Sequence, residues 1–370
     1  MIRLARPDIT DADIAAVADA LRSGNLVQGA RVAEFEQTIA ELTGVPHVAA
    51  VCNGTAALQL ALLALGIGTG DRVAVAAFSW PATANVVALS GAQPVFVDIE
   101  PSTLGMDPEA LRSVLARDPA IRAVMPVHVF GQMARIDEIM DIATAHGAVV
   151  VEDAACALGA RRAGRAAGGW GDVGCFSFHP RKAATTGEGG AVVCRDPSLL
   201  RTVRILRNHG QDPDAPAPDF VEAGFNMRLT EFQAALGVSQ LRRYGELLAV
   251  RRRLAERYDT LLAGLPVTVP VEPAQGAHIY QSYVVLLEAR LAPRRPAIIA
   301  ALRERGVETT IGTYHLPLLS YYTRTLGHVP GDHPVSESVA ARALALPLHL
   351  ALRDDDQDTT VATLREVIAA

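Results

Sequence analysis

Between residues 46 and 195, short continuous apolar runs alternate with longer stretches in which apolar residues recur every three or four positions. Continuous runs are typical of strands buried on both faces of a sheet, and the periodic stretches are typical of helices. The alternation predicts an α/β fold with a mostly parallel seven-stranded sheet flanked by helices. The predicted strands cover residues 46–52, 71–78, 93–99, 121–129, 148–153, 174–178 and 190–194, and the predicted helices cover 55–66, 81–91, 107–116 and 136–147.

After about residue 200 the pattern changes to that of a smaller α+β unit. Residues 229–265 predict two helices with a bend near Gly245, and we interpret Arg251–Arg253 as a solvated helix face. The other predicted elements are a loop at 212–220, a strand at 282–289 and helices at 296–306 and 358–370. We therefore place a large domain at residues 1–245 and a small C-terminal domain at 246–370, with roughly the first 12 residues as candidates to pack on the small domain.

Composition and charge exclude several classes of function. The net charge of −6 and the pI near 5.9 argue against nucleic acid or an anionic membrane as a partner, because phosphate binding needs a basic face. No apolar run approaches the ~20 residues of a membrane span, and no signal peptide is evident at the N-terminus. The four cysteines form no CxxC pair, and no cluster has the spacing of metal ligands, so we expect a cytoplasmic protein without a metal site.

A single lysine stands among the basic residues. Of the 34 Lys and Arg residues only Lys182 is a lysine, and it lies in the stretch SFHPRKAATTGEGG at 177–190. Arg can replace Lys where only a positive charge is needed, but only Lys loses its proton when desolvated and forms a Schiff base. Lys182 is therefore a candidate covalent lysine, the alternative being a chance survivor of a GC-rich coding bias.

Polar groups follow several predicted strands, at the carboxyl ends where open parallel sheets bind ligands. NGTAA at 53–57 opens a helix whose N–H groups suit a phosphate, although it also fits an ordinary turn and cap. Asp153 ends the most apolar strand, where a carboxylate needs a partner such as a protonated ring nitrogen. Ser177 and Lys182 follow another strand, and Trp80 adds an aromatic ring. These are the parts that pyridoxal 5′-phosphate (PLP) requires.

The motifs resemble those of the DegT/DnrJ/EryC1/StrS family of sugar aminotransferases, which are fold type I PLP enzymes. The block around Lys182 is highly specific, whereas NGTAA alone is not. The matching segments follow the family's order over nearly the whole chain: NGTAALQLALLALG, FSWPATANVV, PVFVDIEPSTL, PVHVFGQ, VEDAACALGA, GDVGCFSFHPRKAATTGEGGAVV, LRNHG, FNMRLTEFQAALG and ALPLH. The resemblance implies a fold type I, PLP-binding large domain and an enzyme that cycles between PLP and pyridoxamine phosphate.

The resemblance also implies roles for individual residues. Lys182 would bind the cofactor as a Schiff base and move the proton between cofactor and substrate carbons. Asp153 would pair with the pyridine nitrogen, and Trp80 would stack on the ring. Asn226 would reach the phosphate of the neighbouring subunit, which implies a homodimer with a shared site. The phosphate contacts within the subunit would come from Gly54, Thr55 and Ser177.

At Cys156 the chain departs from the family pattern. Many members have Gln or His at this position, three residues after the Asp, where it bonds to the cofactor's phenolic oxygen. A thiol is a weak donor, so the contact is lost, is made through water or is taken over by another side chain. We interpret His128 as a structural histidine at a strand end. The residues placed near the substrate by motif are His179, Glu188, Arg228, His278, Tyr314 and His315.

The predicted function is transfer of an amino group from an amino acid, with L-glutamate as the expected donor, to a keto group of a nucleotide-linked deoxysugar by a ping-pong reaction. The alternatives are transamination of a free cyclitol ketone, another PLP reaction such as elimination, cyclisation or dehydration, and a non-catalytic regulatory homologue. A sugar 3-dehydrase of the family is disfavoured, because that branch has His in place of the lysine that is present here.

Overall fold

The computed structural model describes residues 1–370 as a chain of mixed helices and strands. Two short 3₁₀ turns cover Val129–Gly131 and Ala289–Arg294. The helices are α1 (Asp11–Arg22), α2 (Ala30–Thr43), α3 (Gly54–Ala64), α4 (Ala82–Leu89), α5 (Pro108–Arg117), α6 (Ile136–His146), α7 (Pro197–Arg207), α8 (Glu231–Arg242), α9 (Tyr244–Leu261), α10 (Arg295–Glu304), α11 (Ser320–Leu326), α12 (Pro334–Arg342) and α13 (Asp354–Ala369).

The strands form one large sheet and three smaller ones. They are β1 (His47–Val51), β2 (Arg72–Ala76), β3 (Phe78–Ser79), β4 (Gln93–Val97), β5 (Ile121–Met125), β6 (Val149–Asp153), β7 (Arg161–Arg162), β8 (Arg165–Ala166), β9 (Val173–Ser177), β10 (Gly190–Cys194), β11 (Val267–Thr268), β12 (Gly276–Ala277), β13 (Tyr283–Leu287), β14 (Thr310–Ile311), β15 (Tyr314–His315) and β16 (Ala343–Leu346).

The large sheet has seven strands in the order β1-β10-β9-β6-β5-β2-β4. Only β10 runs antiparallel to its neighbours, and the other strands share one direction. The mostly parallel seven-stranded sheet predicted from the sequence is therefore confirmed. Its apolar runs are continuous because both faces are covered. Within β2, Val73 and Val75 belong to one apolar core, while Ala74 and Ala76 belong to the core on the opposite face.

The chain after residue 250 builds a third apolar core around the antiparallel sheet β11-β13-β16-β14. The N-terminal segment pairs with this part of the molecule. The Ile2 N–H donates to the Gly306 carbonyl at 2.7 Å, and the Leu348 N–H donates to the Leu4 carbonyl at 3.1 Å. These contacts join residues 2 and 4 to the C-terminal part of the chain. The packing of roughly the first 12 residues on a small domain and the division into domains at residue 245 stay predictions.

The helical stretch after residue 229 divides into α8 and α9 at Arg243, close to the bend expected near Gly245. The expectation of a solvated face at Arg251–Arg253 is wrong for Arg251. This side chain is buried, and its guanidinium donates to the carbonyls of Tyr280 and Gln281 at 3.1 and 3.2 Å. The run of three arginines gives no sign of this, because successive residues of a helix point in different directions. None of the helices combines the length and apolar character that crossing a bilayer requires.

Candidate active site

The N-terminus of α3 forms one wall of the site, beside the end of β9. The Asn53 side chain accepts the Ala56 N–H at 2.8 Å, so it caps the helix. The N–H groups of Gly54 and Thr55 have no acceptor within the protein. A Cβ at Gly54 would lie 2.8 Å from the Ser177 Cβ, so the helix end and the Ser177 hydroxyl are held close together. Free N–H groups, a helix dipole and a hydroxyl together make a site for an anion such as a phosphate.

Asp153 ends β6 and is 5% exposed. One of its carboxylate oxygens accepts the Thr83 hydroxyl at 2.7 Å, and the other accepts the Ala155 N–H at 3.2 Å. Thr83 is in turn 2.7 Å from the Ser79 hydroxyl, which fixes its orientation. Burial raises the pKa of Asp153 above its ordinary value, because the carboxylate has left water and no cationic side chain forms an ion pair with it. A bound cation would relieve this penalty.

Lys182 lies in the irregular segment that follows β9. Its Nζ is 2.9 Å from the Cys156 Sγ, so the position that departs from the family pattern touches the sole lysine. The amide N–H of Lys182 donates to the His179 carbonyl at 2.8 Å, which forms a tight turn in front of the lysine. The small cavity around the lysine is lined by Ala155, Cys156, Leu158, Ser177, Phe178, Lys182, Ala183, Ala184, Tyr244, Ile279 and Gln281.

Trp80 and Tyr314 form an aromatic pair with ring centroids 5.5 Å apart. Strand β15, which carries Tyr314, pairs with β3 just before Trp80, so the pair spans the large sheet unit and the C-terminal part of the chain. The Trp80 side chain is 59% exposed, which is unusual for so large an apolar group. It is available to cover a flat ligand.

Asn226 and Arg228 lie near the end of β1 and the start of α3. The Cys52 N–H donates to the Met227 carbonyl at 3.0 Å, and this bond holds the segment against the strand end. Asn226 is exposed, and its side-chain oxygen accepts the Arg228 Nε at 3.1 Å. Arg228 also donates to the Asn208 side chain at 3.0 Å. Both side chains are thus ordered at the surface without an acidic partner.

The remaining motif residues separate into near and distant groups. His179 precedes Lys182 by three residues, and its Nε2 is 4.0 Å from a Glu188 carboxylate oxygen. Burial lowers the pKa of His179. His315 lies beside Tyr314 in β15, but its Nδ1 is 2.8 Å from the Ser336 hydroxyl, on the α12 side. Because successive residues of a strand point to opposite sides, Tyr314 packs against Trp80 whereas His315 points away from it.

His278 is buried away from the lysine cavity. Its Nδ1 accepts the Tyr280 N–H at 2.9 Å, and its ring stacks on the Tyr280 ring at 4.1 Å. Burial lowers the pKa of His278 to about 4, so the ring is neutral at physiological pH. It lines a separate cavity between residues 101–104, 129–132 and 268–286.

His128 has the structural role expected of it. Its Nε2 is 2.8 Å from Glu152, and both side chains are fully buried. The His128 Nδ1 accepts the Ala134 N–H at 3.3 Å, so the proton lies on Nε2 and the ring donates to Glu152. Glu152 also accepts the N–H groups of Gly168, Trp170 and Gly171. The pair anchors the loop after β8 and leaves Asp153, the next residue, free to face the site.

Sequence reasoning missed two residues that organise this site. Thr83 supports Asp153, and Gln281 contacts the backbone on both sides of Lys182. Thr83 lies in the first turn of α4, three residues after Trp80, and its N–H donates to the Trp80 carbonyl at 3.2 Å, so this spacing could have suggested it. Gln281 gives no local signal, because its contacts are about 100 residues away along the chain.

The arrangement fits PLP. Four groups surround one region at the carboxyl ends of β1, β6 and β9. They are the amine of Lys182, the free N–H groups at the start of α3, the buried carboxylate of Asp153 and the exposed ring of Trp80. Each group matches one part of the cofactor: the aldehyde, the phosphate, the ring nitrogen and the ring face. The structure contains no group of three or more His, Cys, Asp or Glu side chains placed to hold a metal ion.

Comparisons with known sequences give similar enzymes. The model of the DegT/DnrJ/EryC1/StrS aminotransferase family matches residues 7–365. GDP-perosamine synthase of Caulobacter vibrioides is 38% identical over 342 residues, which cover 92% of this chain and 91% of the relative. UDP-2-acetamido-2-deoxy-3-oxo-D-glucuronate aminotransferase of Pseudomonas aeruginosa is 33% identical over 342 residues, with 92% of each chain covered.

Solved structures show the same fold. A structure named as a sugar aminotransferase of Streptococcus pneumoniae, in its PMP form, superimposes with a TM-score of 0.94 at 30% identity and covers 99% of both chains. The PLP form of that protein superimposes with a TM-score of 0.93. The expected fold type I architecture is therefore confirmed.

Proposed function

Because the chain belongs to the DegT/DnrJ/EryC1/StrS aminotransferase family, we propose that it transfers an amino group from L-glutamate to a keto group of a nucleotide-linked deoxysugar. The protein is an enzyme of the aminotransferase class, and its cofactor is PLP. Two relatives named for nucleotide-linked sugars support the substrate class. The observation that carries the proposal is the position of the sole lysine beside Cys156, in the same site as the unpaired Asp153.

The protein groups divide the binding of the cofactor among them. The N–H groups of Gly54 and Thr55 and the Ser177 hydroxyl bind the phosphate. Asp153 keeps a proton on the ring nitrogen, because its buried charge gains a partner only when that nitrogen is protonated. Trp80 covers the ring. When bound, PLP supplies an aldehyde carbon that combines with amines and a ring that accepts electrons.

Lys182 performs the proton transfers. Its Nζ would hold the cofactor covalently until the amino donor binds. As a free amine it would remove the proton from the α-carbon of the donor, and in the second half of the reaction it would deliver a proton to the carbon of the keto substrate that receives the amino group. Arg cannot perform these steps, because it stays protonated. The donor leaves as 2-oxoglutarate, and the keto sugar leaves as the amino sugar.

The substrate would enter past the aromatic pair Trp80 and Tyr314. We place His179, Glu188 and Arg228 at the rim of the site, since they lie close to Lys182 or to the start of α3. His278 and His315 are proposed only as supporting residues, because their rings contact Tyr280 and Ser336. Cys156 lies next to the lysine amine. Because its thiol is a weak hydrogen-bond donor, another group would bond to the cofactor's phenolic oxygen.

We also propose that the active unit is a homodimer in which Asn226 reaches the phosphate of the neighbouring site. The support is the exposed position of Asn226 beside the end of β1, together with its ordering by Arg228. A side chain fixed at the surface, with no partner of its own except Arg228, is suited to complete a site on a second copy of the chain.

The first test is the absorption spectrum of the purified protein before and after L-glutamate is added. We expect a near-visible band that fades as 2-oxoglutarate appears in stoichiometric amount, after which a keto-sugar screen would identify the acceptor. A bound cofactor that ignores glutamate would contradict the donor assignment. Product formation with a free cyclitol ketone but with no nucleotide sugar would contradict the substrate class. Failure to bind PLP would contradict the proposal as a whole.

A further inference from the structure

The Gln281 side chain contacts the backbone on both sides of Lys182. Its Oε1 accepts the Ala183 N–H at 2.8 Å, and its Nε2 donates to the Arg181 carbonyl at 2.5 Å. The two partners fix the orientation of the amide, because one is only a donor and the other only an acceptor. Gln281 is 7% exposed, so water does not compete readily for these bonds.

Gln281 is itself held from two directions. The Ile279 N–H donates to the Gly131 carbonyl at 3.0 Å, and the Ser282 N–H donates to the Phe130 carbonyl at 3.3 Å. From the opposite side, Arg251 of α9 donates to the Gln281 carbonyl at 3.2 Å. The segment from Ile279 to Ser282 is therefore fastened both to the 3₁₀ turn after β5 and to α9.

The backbone at this point is shaped to present the side chain. Tyr280 has a φ of +48°, a left-handed conformation that non-glycine residues adopt rarely. Gly131 has a φ of +95°, and a Cβ there would lie 2.8 Å from the Gln281 nitrogen. The close approach of the two segments thus requires glycine at 131. A strained residue kept in place by surrounding contacts is typical of functional sites.

The loop around Lys182 is held mainly by hydrogen bonds within itself, such as Phe178 N–H to the Gly189 carbonyl and Thr186 N–H to the Phe178 carbonyl. It carries no helix or strand between Ser177 and Gly190. From His179 to Ala184 the other backbone bonds are local, namely Lys182 N–H to the His179 carbonyl at 2.8 Å, Arg181 N–H to His179 Nδ1 at 3.2 Å and His179 N–H to the Ser177 hydroxyl at 3.4 Å. The two bonds to Gln281 are the ones that join this stretch to a distant part of the chain. Without Gln281 the Ala183 N–H and the Arg181 carbonyl would lose their partners within the protein.

We propose that Gln281 is a positioning residue, which fixes the peptide units on both sides of Lys182 and so holds its amine beside Cys156. The inference rests on the proposed function in one respect: it takes Lys182 to be the residue that reacts with the cofactor. It also couples the lysine to the packing of β13 and α9, because Gln281 lies two residues before β13 and its carbonyl accepts a hydrogen bond from Arg251.

The single lysine gives a direct test on the cofactor-free protein. A protease that cuts only after lysine has one possible site, the Lys182–Ala183 bond, and would give fragments 1–182 and 183–370. Gln281→Met keeps the length and apolar stem of the side chain but removes both hydrogen bonds. We expect this variant to be cut at least about ten times faster than the wild type under native conditions, since cleavage requires local opening of the loop.

Amide exchange provides the second measurement. We expect the Ala183 N–H to exchange faster in Gln281→Met, because it loses its acceptor. Gln281→Glu keeps that acceptor but places an oxygen against the Arg181 carbonyl, so it should protect Ala183 more than Gln281→Met does. This difference separates a specific contact from general loosening, which would expose Ala183 equally in both variants.

Gln357→Met is the matched control. Gln357 is buried like Gln281, and it donates to the Leu254 carbonyl at 2.8 Å, far from the lysine loop along the chain. It should leave cleavage at Lys182 unchanged once its effect on global stability is subtracted. Equal cleavage and equal Ala183 exchange in wild type and Gln281→Met would overturn the proposal.

The loaded enzyme adds a spectroscopic readout. In Gln281→Met we expect the pH midpoint of the near-visible cofactor band to move and kcat to fall by about 10- to 100-fold with little change in KM, because the amine is displaced rather than the substrate. An unchanged midpoint together with an unchanged kcat would contradict the positioning role. Cleavage and exchange do not involve the cofactor, so they decide this inference even if the proposed reaction is wrong.

Discussion

Asp153 is a buried carboxylate whose hydrogen-bond partners are all uncharged. Its raised pKa means that the folded cofactor-free protein holds the proton more tightly than the unfolded chain does. Stability is therefore lost as the pH rises from the ordinary value of 3.8 through the raised folded-state pKa, and the full penalty persists above it. The bound cofactor would offset this penalty, because its protonated ring nitrogen would donate a hydrogen bond to the Asp153 carboxylate.

Asp153→Asn tests this account of the charge. In the cofactor-free protein, the melting temperature of the variant relative to the wild type should increase as the pH rises above the ordinary value of 3.8 and should level off above the raised folded-state pKa of Asp153, since Asn has no charge to bury. Thermal unfolding over a pH series measures the difference. A difference that stays constant with pH would show that Asp153 is not penalised by burial.

Thr83 should contribute to the free energy of unfolding only through its hydrogen bond to Asp153. Thr83→Val keeps the shape of the side chain but leaves a buried carboxylate oxygen without its donor, so unfolding in urea at neutral pH should reveal a loss of about 1–3 kcal/mol. The loss should be smaller in the Asp153→Asn background, where the charge is absent. Equal losses in the two backgrounds would mean that Thr83 acts by packing alone.

Lys182→Arg keeps the charge and removes the reactive amine. We expect the fold to persist and transamination to fall by at least about 10²–10⁴-fold, because Arg can neither give up its proton nor attach the cofactor covalently. Borohydride reduction followed by mass measurement should show covalent cofactor only in the wild type. A variant that turns over at the wild-type rate would remove Lys182 from the mechanism.

At the scale of elements, the site depends on how closely the start of α3 approaches the end of β9. Gly54→Ala would place a Cβ 2.8 Å from the Ser177 Cβ, so the helix end must move away from the hydroxyl. We expect the affinity for PLP to fall by about ten-fold or more with normal circular dichroism, since the helix still forms but the phosphate cradle widens.

Gly245→Ala is the control for the Gly54 experiment. Gly245 lies in α9 with no neighbouring atom within 4 Å of the added Cβ, so this change should leave PLP binding unaltered and stabilise the helix by about 0.5–1 kcal/mol. Equilibrium titration with PLP, followed by its absorption, compares the variants. Equal affinity of Gly54→Ala and wild type would contradict the assigned phosphate contacts.

Different parts of the fold and the site were accessible from the sequence to different degrees. The large sheet was predictable because strands buried on both faces leave long apolar runs, and Lys182 and Asp153 stand out chemically at the ends of such runs. The burial of Arg251 and the contacts of Gln281 could not be predicted from the sequence. They depend on segments that are far apart in the chain and that only tertiary packing brings together. Cys156 stands out in the sequence as a departure from the family pattern, but its contact with Lys182, 26 residues further along the chain, depends on tertiary packing.

At the scale of the whole molecule, the proposed shared site can be tested with mixed dimers. Lys182→Ala and Asn226→Ala should each be impaired alone. A hybrid of the two would have one site with an intact Lys182 from one subunit and an intact Asn226 from the other. Random mixing should then restore about a quarter of the wild-type activity, because half of the dimers are hybrids with one intact site.

The mixed-dimer experiment has a clear opposite outcome. If each subunit used its own Asn226, no combination of the two variants would contain a complete site, and mixing would restore nothing. Gel filtration of the wild type at several concentrations should show the dimer independently. A monomer with full activity would contradict the shared site.

The pairing of residues 2–4 with residues 306–348 affects how the chain is made. The Leu4 N–H bonds to Glu308, a separation of 304 residues. A ribosome that adds about 5–20 residues per second finishes this stretch about 15–60 seconds after it has made Leu4. During that interval the large sheet can close around its own strands, while the segment at residues 2–4 waits without a partner as an exposed extended chain. The joining of residues 2–4 to residues 306–348 therefore comes only after the intervening chain has been made.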